Sequence, residues 1–263
     1  MAYIANYHTH HRFCNHAEGS VEDYVKTALN ANLKHLGFSD HAPSLLLEDQ
    51  LRMSFNELPI YIHEIEAIAL KYQKEITLYK GLECEYLDLN SDYYRKLLKQ
   101  VDYLILGQHY IGRKTQKFTS SYALTTKTDI LTYQKEIVSG IESGHFIMVA
   151  HPDLYLYAYP TFDETAKHVA KTIVTAAVKH NMVLEYNANG IRKGTRSTKE
   201  GIRYYYPRQE FWEIVAEEKK CRVIVSADAH RPKEIYDEAI AEAYAHLLKL
   251  GIKPLERLDI KNP

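Results

Sequence analysis

Short apolar, β-rich runs alternate with longer helical stretches along the whole chain, and this alternation leaves few folds open. The runs cover residues 2–7, 34–39, 76–84, 103–107, 146–150, 182–186 and 222–226. Each is apolar or aromatic and bounded by polar residues, as buried parallel strands are. The clearest helix covers residues 162–180, where Phe162, Ala166, Val169, Ala170, Ile173, Val174, Ala177 and Val178 form one stripe at helical spacing. Ser20, followed by Glu22 and Asp23, supplies a cap and first-turn acids for the first helix. Pro207 and Pro232 suit the first turns of later helices. Seven such units predict an α/β fold in one domain over residues 1–263, either a doubly wound open sheet or a closed barrel.

Composition narrows the function classes. Lys+Arg number 33 against 34 Asp+Glu, a formal charge of −1, which opposes nucleic-acid binding over a whole face. Cys14, Cys84 and Cys221 form no disulfide framework and no CxxC pair, so a reducing compartment is expected. No apolar run approaches the ~18 residues of a membrane span, and no basic-then-apolar signal pattern opens the chain. These features predict a cytoplasmic protein with no membrane partner. They leave oligomeric state open.

The polar residues decide between the two architectures. After the first run come His8, His10, His11 and His16; after the second, Asp40 and His41; at the end of the third, Glu83 and then Glu85. His109 follows the fourth, and His151 and Asp153 the fifth. Glu185 lies in the sixth, and Asp228 and His230 follow the seventh. One such histidine is ordinarily a hydrogen-bonded structural residue. A set placed after nearly every strand converges if the strands close into a barrel, whose chemistry collects at one face. Buried carboxylates and imidazoles brought together need a compensating positive charge. Metal ions supply it, and imidazole with carboxylate suits Zn, Mn or Fe. The ligand count exceeds what one ion accepts, so a cluster of two or three divalent first-row ions is expected. His8 and His10, at i and i+2, point to the same side and can clasp one ion. Asp228 and His230 share that spacing and serve one ion or two. His35, His63, His145, His168, His180 and His246 read as surface or structural, and His11 is ambiguous.

The ordered pieces His8-Thr9-His10, His16, Ser39-Asp40-His41, Gly81-Leu82-Glu83, Gly107-Gln108-His109, Ala150-His151-Pro152 and Ser226-Ala227-Asp228-Ala229-His230 resemble the PHP (polymerase and histidinol phosphatase) superfamily of metallophosphoesterases. The resemblance covers residues 8 to 230, and the segment Asn189-Gly190-Ile191-Arg192-Lys193 is similar to its histidinol-phosphatase branch. It implies a distorted seven-stranded β/α barrel with a metal cluster at its C-terminal face. It also implies ligands by position: His8, His10, Glu83 and Asp228 for the first ion; Glu83, His109 and His151 for the second; His16, His41 and His230 for the third. Cys14, among these ligands, reads as loop packing or a reactive thiol.

The activity implied is phosphomonoester hydrolysis, with L-histidinol phosphate as substrate and a metal-bridging hydroxide as nucleophile. Asp228 or His230 then accepts or returns a proton. Phosphate binding needs fixed cations, and the loop after the sixth run supplies Arg192, Lys193, Arg196, Lys199, Arg203 and Arg208. Arg192 and Arg196 are the first candidates for the phosphate, on the fit of a guanidinium to its oxygens, with Arg12 behind them. Asp153, Glu185 and Glu85 are candidates for the substrate amine. Tyr155, Tyr157, Tyr159 and Tyr204 to Tyr206 are candidates for its imidazole. The competing readings are a phosphodiesterase or exonuclease, a phosphotyrosine phosphatase on the same site, and a metal-binding regulatory protein without turnover.

Overall fold

The computed structural model describes residues 3–47, 50–87, 92–115 and 117–260. Seven parallel strands make the central sheet: β1 (Ala5–Asn6), β2 (His35–Phe38), β3 (Thr77–Cys84), β4 (Tyr103–Leu106), β5 (Met148–Val149), β6 (Val183–Asn187) and β7 (Arg222–Ser226). They lie side by side in chain order. All seven predicted runs contain strands: five are shorter than expected, the sixth runs on to Asn187, and the seventh keeps its bounds; the first expected residue of β1, Ala2, lies outside the described residues. The sheet curls until its edges meet. Thr9 bridges Ala229 in parallel, the His10 amide donates to the Ala229 carbonyl at 2.8 Å, and the Ala227 amide donates to Asn6 Oδ1 at 2.8 Å. The architecture is therefore a near-closed seven-stranded barrel, and the open-sheet alternative falls.

Parallel strands need crossovers, and helices supply them on the outside. Ser20 caps α1 (Val21–Asn30) in a capping box with Asp23. The predicted stripe becomes α2 (Glu164–Lys179), capped by Asp163 and burying Ala166, Val169, Ala170, Ile173, Val174 and Ala177. Pro232 begins a short 3-10 turn, Pro232–Ile235, as expected. Pro207 differs: it precedes Arg208, the N-cap of the helix Gln209–Glu217, so it leads into that helix and lies outside its first turn.

The barrel interior is filled by aromatic and aliphatic side chains, among them Tyr7, Tyr79, Tyr103, Ile105 and Met148. Tyr103 spans it and donates to the Tyr7 carbonyl at 2.8 Å. Its strand neighbour Gly81 makes the room, since a Cβ there would lie 2.2 Å from the Tyr103 ring. This plug closes the lower barrel and leaves the C-terminal strand ends as the mouth. Two antiparallel hairpins rise beside that mouth, one pairing Tyr110–Ile111 with Thr119–Ser120, the other pairing Thr195–Thr198 with Gly201–Tyr204.

Candidate metal centre

The strand ends deliver the predicted ligands to one place. Glu83, near the end of β3, is its centre. Its Oε2 lies 3.3 Å from Nε2 of His8, 3.3 Å from Nε2 of His10 and 3.2 Å from Nδ1 of His41. Its Oε1 lies 3.0 Å from Nε2 of His151 and 3.5 Å from Nε2 of His109. Gly107 allows this approach, because a Cβ there would stand 2.0 Å from Glu83 Oε1. Asp228 Oδ1 completes the first group, 3.5 Å from His8 and 3.4 Å from His10. His16 and His230 meet on the outer side, Nε2 to Nε2 at 2.9 Å. Two of the predicted ligands hold left-handed backbone, His151 at φ 30° and Asp228 at φ 45°, and such strain collects at functional sites.

Hydrogen bonds fix which ring nitrogens are free. Nδ1 of His8 meets Glu185 Oε1 at 2.7 Å, and Nδ1 of His109 meets Glu85 Oε1 at 3.1 Å. Nδ1 of His16 meets the Cys14 carbonyl at 2.6 Å, and Nδ1 of His230 meets the Asp228 carbonyl at 3.1 Å. Each of these oxygens accepts, so each Nδ1 carries the hydrogen and each Nε2 presents a lone pair. The lone pairs of His16 and His230 therefore face each other at 2.9 Å, and they repel unless a proton or a cation lies between them. Glu83 Oε2 makes the same point. It is buried, crowded by three imidazoles, and hydrogen-bonded to none. Such orphaned acceptors around shared points fit divalent cations. Four sets of three ligand atoms each lie within 4.8 Å of one another: His8–His10–Glu83, His8–His151–Asp228, His41–Glu83–His109 and His10–Cys14–His230.

The electrostatics agree. Burial would raise the carboxyls of Glu83 and Asp228, but the surrounding histidines outweigh it and hold both well below the carboxylate range. Burial would likewise lower His8 and His10; Glu185, Asp228 and Glu83 outweigh it at His8, and Asp228, Cys14 and Glu83 at His10, raising both. His230 goes the other way, to about 3, under burial and the charge of His10. The Cys14 thiol is buried, bonds the His11 carbonyl at 3.2 Å and is lowered to about 7, burial being outweighed by His10 and His16.

Residues 6–189 match the model of the PHP domain family, more than half of the chain. The chain belongs to the PHP domain family. A Bacillus subtilis protein named "Histidinol-phosphatase" is 24% identical over 262 residues, 87% of this chain and 94% of the relative. A Deinococcus radiodurans protein named "Probable histidinol-phosphatase" is 27% identical over 247 residues, 89% of each chain. A Lactococcus lactis histidinol phosphate phosphatase, crystallised with Zn, L-histidinol and phosphate, superposes with a TM-score of 0.71 at 19% identity, covering 98% of this chain and 99% of that one. The PHP fold seen here is the barrel that the sequence predicts.

The cation candidates need correction. A cavity of about 350 Å³ opens over the cluster, lined by His10, His16, His41, His109 and His230, and by Arg52, Lys193 and Arg231 among the cations. Neither Arg192 nor Arg196 lines it. The Arg192 guanidinium bonds Asp237 at 2.8 and 3.1 Å, the Ala227 carbonyl at 2.6 Å and the Glu234 carbonyl at 2.8 Å. Arg196 donates to the carbonyls of Leu156 and Tyr159, at 2.9 and 2.8 Å, because the hairpin folds it inward. Arg12 pairs with Glu64 at the surface. Arg192→Ala is therefore expected to lower stability by about 2 kcal/mol, the scale of charged hydrogen bonds lost from a half-buried clamp, while KM stays near that of the parent. Thermal denaturation beside steady-state kinetics checks this; a KM that rises with stability unchanged would return Arg192 to the substrate.

Other assignments separate as cleanly. Glu185 and Glu85 orient His8 and His109, and Glu85 also holds Arg52 at 3.2 Å. Their signal in the sequence was position, in the strand or just past its end, on the side of the ligands. Asp153 is buried under the Arg208 amide and the Trp212 indole. His11 turns away, its Nδ1 on Asp40 at 2.6 Å. Tyr110 and Tyr122 line the cavity, and Tyr155, Tyr157, Tyr159 and Tyr204 to Tyr206 do not. Among the described residues no helix is long and apolar enough to cross a membrane.

Proposed function

We propose that this chain is a metal-dependent phosphomonoesterase that hydrolyses L-histidinol phosphate to L-histidinol and phosphate. The observation that carries this reading is the convergence of orphaned lone pairs on shared points under a small polar cavity. His8, His10, Glu83 and Asp228 would hold one divalent ion, Glu83, His109 and His151 a second, and His16, His41 and His230 a third. Zn, Mn and Fe all suit these donors. When bound, such ions neutralise phosphoryl oxygens and make water nucleophilic near neutral pH. The relatives named histidinol-phosphatase, and the Lactococcus lactis structure with L-histidinol and phosphate, support the substrate. The three unpaired cysteines suit the cytoplasm.

The chain's own residues do the rest. Lys193 stands at the cavity wall, and its ammonium has no partner among the described residues. It is the cation best placed to meet a phosphate dianion, with Arg231 at the rim and Arg52 held by Glu85 deeper in. Proton exchange falls to Asp228 or His230, which face the same cavity. A cavity of about 350 Å³ admits a small monoester and offers no basic track for a polymer. Lys193→Ala is expected to raise KM for histidinol phosphate by about tenfold or more, the worth of one charged hydrogen bond, with bound metal unchanged. The reading itself is tested by kcat/KM on L-histidinol phosphate, a phosphotyrosine peptide and a phosphodiester. The first should lead; a leading diester would replace this function with the exonuclease-type one.

A further inference from the structure

Tyr122 sits on the cavity wall opposite Lys193 in chemical character, a neutral donor beside a cluster of anions and imidazoles. Its place is fixed from several sides. The ring lies nearly parallel to that of His109, 12° at 6.3 Å, and edge-on to Tyr157 at 5.0 Å. Its backbone is tied to the same strand end that carries His109: the Ser121 amide donates to the His109 carbonyl at 2.7 Å, and Ser121 Oγ donates to the Gln108 carbonyl at 2.7 Å. The phenol of Tyr122 is thus held at the wall of the cavity that covers the cluster.

We propose that Tyr122 donates a hydrogen bond to the ester oxygen of the bound phosphate monoester and stabilises the charge that gathers there as the alcohol leaves. This rests on the phosphomonoesterase reading above. Water adds to phosphorus, the bond from phosphorus to the alkyl oxygen breaks, and that oxygen keeps the electron pair. It then takes one of the water's protons. The Tyr122 proton is shared and never given up, so the phenol is unchanged after turnover. A fixed donor aimed at developing charge contributes more in the transition state than in the bound ester, which is what raises kcat.

Leaving-group dependence tests this on the metal-loaded full chain. An alkoxide gathers far more charge than a nitrophenolate, so the donor matters for L-histidinol phosphate and little for p-nitrophenyl phosphate. Tyr122→Phe should lower kcat on histidinol phosphate by about 10²-fold, the effect of removing one oxyanion donor. On p-nitrophenyl phosphate kcat should stay within about threefold of the parent, and KM and bound metal should not move. Equal losses on both esters would make Tyr122 a structural residue, and no loss on either would make it idle; both overturn the proposal. If the unsubstituted, metal-replete chain hydrolyses neither ester, the phosphomonoesterase reading fails, and this inference with it.

Discussion

Glu83→Gln is expected to end turnover and to strip metal from the chain. Both carboxylate oxygens are committed, Oε2 to His8, His10 and His41 and Oε1 to His109 and His151, all within 3.5 Å. A carboxamide keeps the shape, but it removes the negative charge and turns N–H donors toward imidazole lone pairs. It therefore opposes a cation at the one point where two sets of ligands meet. Losing ~5 kcal/mol of charge stabilisation costs about 10⁴-fold in kcat/KM. At least one ion per chain should be missing by elemental analysis. A variant with its full metal content and kcat/KM within about tenfold of the parent would show that Glu83 is not the shared ligand.

Chelation should destabilise the chain, and more so at higher pH. The nine candidate ligands meet at the barrel mouth, with the Nε2 atoms of His16 and His230 facing each other, so metal binding energy would also be folding energy. Losing tightly held ions should lower Tm by on the order of 10 °C in a domain of this size. The pH dependence follows from the raised imidazoles. Without metal, His8, His10, His16 and His109 are all held above the usual histidine value, each against the pull of burial: His8 and His109 by carboxylates, His10 by Asp228, Cys14 and Glu83, and His16 by contacts with Cys14. Below that raised range they keep their protons, which steadies the metal-free fold and competes with metal. As pH rises through it, the protons leave, the metal-free fold loses that support and metal binds more tightly. Both changes have the same sign, so the Tm difference between loaded and chelated protein should widen as pH rises above the usual histidine value. A difference that narrows with pH would contradict the ligand assignment, because the ions would then not be displacing protons from histidine.

The barrel and the convergence of its candidate ligands were legible because both depend on period and position. A parallel strand buried on both faces reads as a short apolar run, and the residue after it reaches the mouth wherever the strand ends. His8, His10, His109, His151 and Asp228 lie in the loops just past their strands, and Glu83 lies one residue before the end of β3. The cations were not legible in this way, because composition does not say where a long side chain goes. The basic segment after β6 is a short helix, Ala188–Arg192, followed by a hairpin; the hairpin turns Arg196 onto the carbonyls of Leu156 and Tyr159, and the helix end leaves Arg192 caught by Asp237. Lys193, one residue along, is the one left facing the cavity. Tyr122 carried no signal at all, since it lies in an excursion between β4 and the helix Lys127–Glu142 that no strand rhythm describes.

The central claim is that these side chains hold divalent ions and that the loaded cluster cleaves a small phosphate monoester. Phosphate release from L-histidinol phosphate, followed as Zn, Mn or Fe is returned to chelated protein, tests it most directly. Activity should be absent without metal and should rise with bound metal to a kcat/KM at or above about 10⁴ M⁻¹s⁻¹. Protein shown to be metal-replete that releases no phosphate would contradict it.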